Sequence, residues 1–413
     1  MSALTSGVSQ DVALSVVDDV AHRLSDPADV RVGSGRRRGQ SLGGGAAGIS
    51  LLHVERALTG HGSWDSAVAW LRRACSEDLS VGVNAGLFFG APAVGHLLHC
   101  AQAADVVPRQ AIERVDRAVV GLATARLAAA EERLAGAGRR PPLAEFDLIR
   151  GLAGLGTYLV HHVPGHDVTG NLLSYLVRLS GPHATPDDLP GWWSNTAPNG
   201  ERTPEYADGH ANLGLAHGAA AHLAVLAVAL RSGVEAPGHR DAIRNVCSWY
   251  DLWARSDEQG TWWPGLLTLG QAQGHEPFPE RRQRPSWCYG SAGIARALQL
   301  AGLALDDSDR ARGAEAVLLA DADDPSQVAA LDGTGLCHGT AGLLLSAWRT
   351  GTEATGPALL EAASALAADV ARSLDATSDL TELLDGTAGA ALALHTVTVD
   401  HWEAQWDSCL LLS

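Results

Sequence analysis

Trp287-Cys288-Tyr289-Gly290-Ser291-Ala292-Gly293 and Leu336-Cys337-His338-Gly339-Thr340-Ala341-Gly342 decide the fold, because they are two copies of one unit. In each, a cysteine stands two places before a glycine that opens an apolar helical run. The same pattern, Gly-x-x-Gly/Ala followed by small and branched apolar residues, begins at Gly45, Gly90, Gly151, Gly218, Gly290, Gly339 and Gly386. A second glycine follows at Gly48, Gly154, Gly293, Gly342 and Gly389, while Ala93 and Ala221 hold that slot in the other two copies. Glycines in the first turn of an apolar helix let neighbouring backbones approach, so these helices are expected to be buried all round.

Ahead of each copy lies a second helical pattern, more charged on one side. The first is marked by Leu14, Val17, Ala21 and Leu24; others run over 63–75, 108–134, 169–179, 239–255, 309–319 and 357–374. In the last, Leu359, Ala363, Leu366, Val370 and Leu374 share a face from which Glu361 and Asp369 turn away, as in an amphipathic helix resting on a core. Seven helical pairs of one kind stack into an open solenoid or close into an α/α toroid. Closure is favoured, because the slots just before the repeat glycines carry Ala216-His217, Cys288-Tyr289, Cys337-His338 and Leu384-Asp385, and a ring would bring those helix starts to one cavity. The expectation is an all-α chain with a single domain over 1–413. Long loop insertions near 182–211 and 260–286, carrying Trp192-Trp193 and Trp262-Trp263, read as rims of that cavity able to hold a peptide.

With 413 residues and 46% hydrophobic content the chain can bury a large core, and a net charge of −17 argues against a phosphate-backbone binder. The one basic run, Arg36-Arg37-Arg38, reads as a solvated loop. Six scattered cysteines do not form a disulfide framework and suit a reducing compartment. Cys75, Cys100 and Cys247 read as buried thiols and Cys409 as an anchor of the tail. No signal peptide or membrane span is read, and a cytoplasmic location is expected.

Cys288, Cys337 and His338 offer two thiolates and an imidazole, the donor set of tetrahedral zinc, with bonds of about 2.3 Å to sulfur and about 2.0 Å to nitrogen. Three protein ligands leave one position open, as in catalytic sites. A substrate thiol there would ionise near neutral pH, and its addition to an activated double bond would create an enolate in need of a proton. His217, in the matching slot, is placed to carry that proton. Asp147 alone reads as a helix-capping carboxylate, and Asp385 as a cap or as support for a ligand.

On these residues, Trp287-Cys288-Tyr289-Gly290, Cys337-His338-Gly339, Ala216-His217-Gly218 and Asp147 ahead of Gly151-Leu152-Ala153-Gly154, the chain resembles the lanthionine synthetase C-like family, specifically its stand-alone class I lanthipeptide cyclases. The resemblance covers essentially the whole chain. It implies a double ring of seven inner and seven outer helices, with one Zn2+ per chain on Cys288, Cys337 and His338. It also implies carbon–sulfur bond formation by Michael-type addition of precursor-peptide cysteines to dehydroalanine or dehydrobutyrine. By the same match His217 would be the acid/base, Asp147 its partner or a second acid/base group, Arg284 a stabiliser of the enolate or substrate, and Tyr289 a lining residue. A dehydrated precursor peptide would be the substrate. A separate dehydratase and a transporter would be partners in a biosynthetic complex, through which a cytoplasmic protein would meet the membrane. The alternative within the resemblance is a protein that binds a thiol such as glutathione, or scaffolds a complex, without closing rings.

Overall fold

Each of the seven repeat glycines caps a helix. In a computed structural model that describes residues 10–32, 38–136, 139–181, 189–197, 200–279, 282–399 and 405–413, the long helices are, in chain order, α1 (Gln10–Arg23), α2 (Ala46–Leu58), α3 (Trp64–Ala74), α4 (Ala91–Cys100), α5 (Arg109–Ala135), α6 (Leu152–His162), α7 (Asp167–Leu179), α8 (Ala219–Arg231), α9 (His239–Trp253), α10 (Ser291–Leu305), α11 (Ser308–Asp323), α12 (Thr340–Glu353), α13 (Ala358–Ser373) and α14 (Thr387–Thr398). Even-numbered helices are the apolar ones. Every residue of α14 is buried, as is every residue of α8 from Ala219 to Ala229. Odd-numbered helices bury one stripe: in α9 only His239, Ala242, Ile243, Val246, Cys247 and Tyr250 are covered, the i, i+3, i+4, i+7 spacing of an amphipathic helix.

Close approach, rather than backbone angle, explains most of the capping glycines. A Cβ at Gly218 would collide with the Asn212 carbonyl, and one at Gly290 with the Arg284 carbonyl. Gly90 differs in adopting φ +78°, a left-handed conformation that suits glycine. The second glycine packs on the loop that precedes it: at Gly48, Gly293 and Gly389 a Cβ would strike the carbonyl six residues back, that of Leu42, Trp287 and Leu383. Ala93 and Ala221 tolerate their methyl groups at full burial, so the departure at this slot leaves both helices formed.

The chain groups into two compact units, Met1–Val119 with Asp321–Ser413, and Val120–Ala320. In the first, α2 lies between α4 and α14, and α12 lies against α14; α3 covers α2, α13 covers α12 and α1 covers α14. In the second, α8 lies between α6 and α10, with α7 over α6 and α9 touching α7, α8 and α10. The apolar helices α2, α6, α8 and α12 thus pack against the amphipathic helix that follows each, whereas α4 and α10 meet the one that precedes them. The first helix of the chain serves the last apolar one.

Four short strands, β1 (His210–Asn212), β2 (Arg255–Asp257), β3 (Gly260–Trp262) and β4 (Leu266–Thr268), lie in the two long loops and after α9. β1 pairs antiparallel with β4, His210 opposite Thr268, and β2 with β3, Arg255 opposite Trp262. The loops are therefore tied to each other. Their tryptophans are packed down rather than displayed: Trp192, Trp193, Trp262 and Trp263 are all buried, Trp193 donating to the Asp208 carbonyl (3.1 Å) and Trp263 to that of Tyr250 (2.9 Å).

Other expectations resolve individually. Cys100 and Cys247 are buried, but Cys75 is exposed, because it caps α3 where the helix face turns outward. On α1, Ala13 and Val20 join Val17, Ala21 and Leu24 in the core, and Leu14 is only half-buried. Cys409 does anchor the tail: its Sγ donates to the Trp406 carbonyl (3.1 Å), Trp406 donates to Thr396 (3.0 Å), and Arg349 forks onto the buried Asp407. Arg38 lies in a short helical turn, whereas Arg36 and Arg37 fall outside the described residues, as do 182–188 and 198–199 of the first long loop. Among the described residues no helix is long and apolar enough to cross a membrane.

Candidate active site

One backbone register sets the slots ahead of the apolar helices. The residue two before the repeat glycine exchanges hydrogen bonds with its counterparts in neighbouring copies. In the second unit the Ala216 N–H donates to the Cys288 carbonyl (3.1 Å), and the Ala216 carbonyl accepts from the N–H of Leu148 (3.2 Å), which stands three places before Gly151 rather than two. In the first unit the Cys337 N–H donates to Leu384 (2.8 Å) and the Leu384 N–H to Gly43 (3.2 Å). The equivalence of slots seen in the sequence is thus a physical alignment, and side chains one place on in adjacent copies become neighbours.

His217 and Asp147 meet through an offset in this register, Asp147 preceding Leu148 where His217 follows Ala216. His217 Nδ1 lies 2.7 Å from Asp147 Oδ2, with Asp147 buried and the imidazole about a quarter exposed. The other carboxylate oxygen accepts the N–H groups of Arg150 and Gly151, each at 2.7 Å, at the start of α6. Asp147 therefore does both things weighed for it, capping with Oδ1 and holding histidine with Oδ2. A carboxylate can only accept, so His217 carries its proton on Nδ1 and keeps its lone pair on Nε2. Arg126, at the far side of Asp147, adds positive charge and donates to the Arg150 carbonyl.

Tyr289 packs beside this pair, its ring 6.0 Å from that of His217. Gly214 makes the approach possible: a Cβ there would stand 2.9 Å from Tyr289 Cα. Arg284 enters through its backbone, its carbonyl lying against Gly290 and accepting from the Ser286 N–H (2.8 Å), while the residue itself is exposed.

Cys288, Cys337 and His338 form the group among the described residues that could hold a metal ion: one ligand atom from each, all within 4.8 Å of one another. Cys288 is buried and the other two are half-buried. Two sulfurs and one imidazole nitrogen at this spacing fit zinc by donor chemistry, and three ligands leave room for a fourth. Around them, Ser286 Oγ accepts from Cys288 Sγ (3.7 Å), and His338 Nε2 lies 3.2 Å from Asp385 Oδ1.

Sequence reasoning missed Gly214, Gly335 and Ser286. A signal existed for the two glycines, since each stands four places before its repeat glycine, and Gly335 meets the Asp385 backbone as Gly214 meets Tyr289.

The family model described as lanthionine synthetase C-like protein matches residues 37–411. Among curated proteins, the nisin biosynthesis protein NisC of Lactococcus lactis subsp. lactis is 26% identical over 207 residues, 49% of this chain and 48% of that protein, so the match spans about half the length of that relative. Among solved structures, a nisin cyclase superposes with a TM-score of 0.77 at 18% identity over 98% of both chains. That likeness gives the fold: an α/α toroid, all-α as expected.

Proposed function

Because the chain belongs to the lanthionine synthetase C-like family, we propose that it is a zinc-dependent lanthipeptide cyclase, joining cysteine thiols of a dehydrated precursor peptide to dehydroalanine or dehydrobutyrine. The observation that carries this reading is the Cys288, Cys337 and His338 cluster, whose ligand atoms fall within 4.8 Å of one another. The likeness to NisC and to a nisin cyclase supports it. A zinc ion held by these three residues would lower the pKa of a substrate thiol in the open position.

The rest is the work of the chain's own side chains. In the addition, the sulfur–carbon bond forms at the β-carbon, the carbon–carbon double bond becomes single, and the thiol proton ends on the α-carbon. His217 Nε2 moves that proton, with Asp147 fixing the ring and stabilising it when charged. The starts of α8 and α10, just after His217 and Cys288, supply positive dipole ends suited to the enolate. Tyr289 limits where the peptide backbone can lie, and the exposed Arg284 offers a cation to the enolate or substrate. Dehydration of the precursor falls to a separate enzyme, and the product is the substrate for export by a transporter.

The test is incubation of zinc-loaded protein with a dehydrated precursor. Alkylatable cysteines should disappear from the peptide with no change in its mass. Cysteines that stay alkylatable with a precursor carrying both groups would refute the reading.

A further inference from the structure

Asp385 shares its slot with His217, Tyr289 and His338, one place before a repeat glycine, yet it is not one of the three grouped ligands. Its Oδ1 lies 3.2 Å from His338 Nε2, with both side chains part-exposed. The proximity is built into the backbone. A Cβ at Gly335 would stand 2.8 Å from Asp385 Cα, and Cys337 donates its N–H to Leu384, the residue before Asp385. The loop carrying His338 is thus laid directly on the loop carrying Asp385.

We propose that Asp385 is a positioning residue for the metal ligand His338, accepting the Nε2–H so that Nδ1 is left as the ligand atom. This rests on the zinc reading above. A metal-bound imidazole commonly donates its remaining N–H to a carboxylate, which fixes tautomer and ring orientation and raises ligand basicity. The same geometry already holds at the catalytic pair, where Asp147 takes one nitrogen of His217 and leaves the other for chemistry. One repeat architecture therefore orients two histidines by one device: a carboxylate on a neighbouring copy, with the working nitrogen turned away from it.

The experiment compares zinc affinity, by competition with a chromophoric chelator, in the wild type, Asp385→Ala and Asp385→Asn. Asparagine keeps an acceptor oxygen for Nε2–H but is a poor metal ligand. Affinity should fall about 10- to 100-fold in Asp385→Ala and stay within a few-fold of the wild type in Asp385→Asn, both variants unfolding at the wild-type urea midpoint. Wild-type affinity in Asp385→Ala would overturn the inference and leave the zinc reading intact. Equal, large losses in both variants would also overturn it, since that is the behaviour of a direct carboxylate ligand. A wild type that takes up no zinc would overturn both.

Discussion

Replacing Asp147 with asparagine separates the two jobs its carboxylate performs. Oδ1 accepts the Arg150 and Gly151 N–H groups, and Oδ2 accepts from His217. Asparagine retains an oxygen for the backbone pair, so the cap survives, weakened by loss of charge assistance to the extent of about 1 kcal/mol. Its amide NH2 must then face His217 Nδ1, which reverses the tautomer and puts the proton on the outward nitrogen. The base is lost although every atom stays in place, and turnover should drop about 10²- to 10⁴-fold. Asp147→Ala removes both functions. It deletes the side-chain cap at a cost of about 0.5–2 kcal/mol, the Gly151 N–H keeping the backbone carbonyl of residue 147 (3.1 Å) as acceptor. Urea unfolding gives the stability terms, thiol alkylation of a dehydrated precursor gives turnover, and elemental mass spectrometry gives zinc. Asp147→Asn with wild-type turnover would refute the proton role and leave only the cap.

Three further outcomes are expected. Cys337→Ala should lose zinc, because two ligands hold it poorly, whereas His217→Ala should keep zinc and lose turnover; equal metal loss in the two would show His217 to be misassigned. Gly293→Ala should destabilise the chain by about 1–3 kcal/mol, since a methyl there meets the Trp287 carbonyl and stands 2.9 Å from Leu215 Cβ, while Ala221→Gly should cost only about 1 kcal/mol of helix propensity; equal effects in urea unfolding would deny the close packing. Burial lowers the pKa of His53 to about 4 and of His222 and His395 to about 3, so these rings stay neutral in the folded protein while the unfolded chain binds protons below about 6.5. Stability should therefore fall as pH drops from about 6.5 towards 4, by about 1.4 kcal/mol per unit for each ring, and His222→Leu should flatten that slope by one ring's share; an unchanged slope would refute its contribution.

The seven apolar helices were legible because each begins at a glycine, required by close backbone contact and at Gly90 also by a left-handed φ, and the amphipathic ones because their stripes follow helical spacing. Which amphipathic helix covers which apolar one was not legible: adjacency in sequence allows either neighbour, and packing chose the later one for α2, α6, α8 and α12 but the earlier for α4 and α10. The pairing of His210–Asn212 with Leu266–Thr268 escaped notice because three-residue strands leave no alternation to read. At the candidate site, the repeated slot is legible because within each unit a backbone register underlies it, joining Ala216 to Cys288 and Cys337 to Leu384. Asp147 needed the family pattern, because a carboxylate three or four residues ahead of a helix looks like a cap whether or not its second oxygen holds a histidine. Arg284 stays the least defined in the sequence, because an exposed side chain belongs to no periodic face.

The seating of α1 on α14 bears on how the protein is made. About 360 residues separate the two helices along the chain, and at translation rates of about 5–20 residues per second the first waits on the order of 20–80 s for its partner. Throughout that interval the stripe of Ala13, Val17, Val20, Ala21 and Leu24 has no permanent cover. A segment made long before α14 is therefore secured only when α14 arrives, and the nascent chain must be kept from premature association at that stripe, by a chaperone or by transient docking on a neighbouring helix, until α14 emerges.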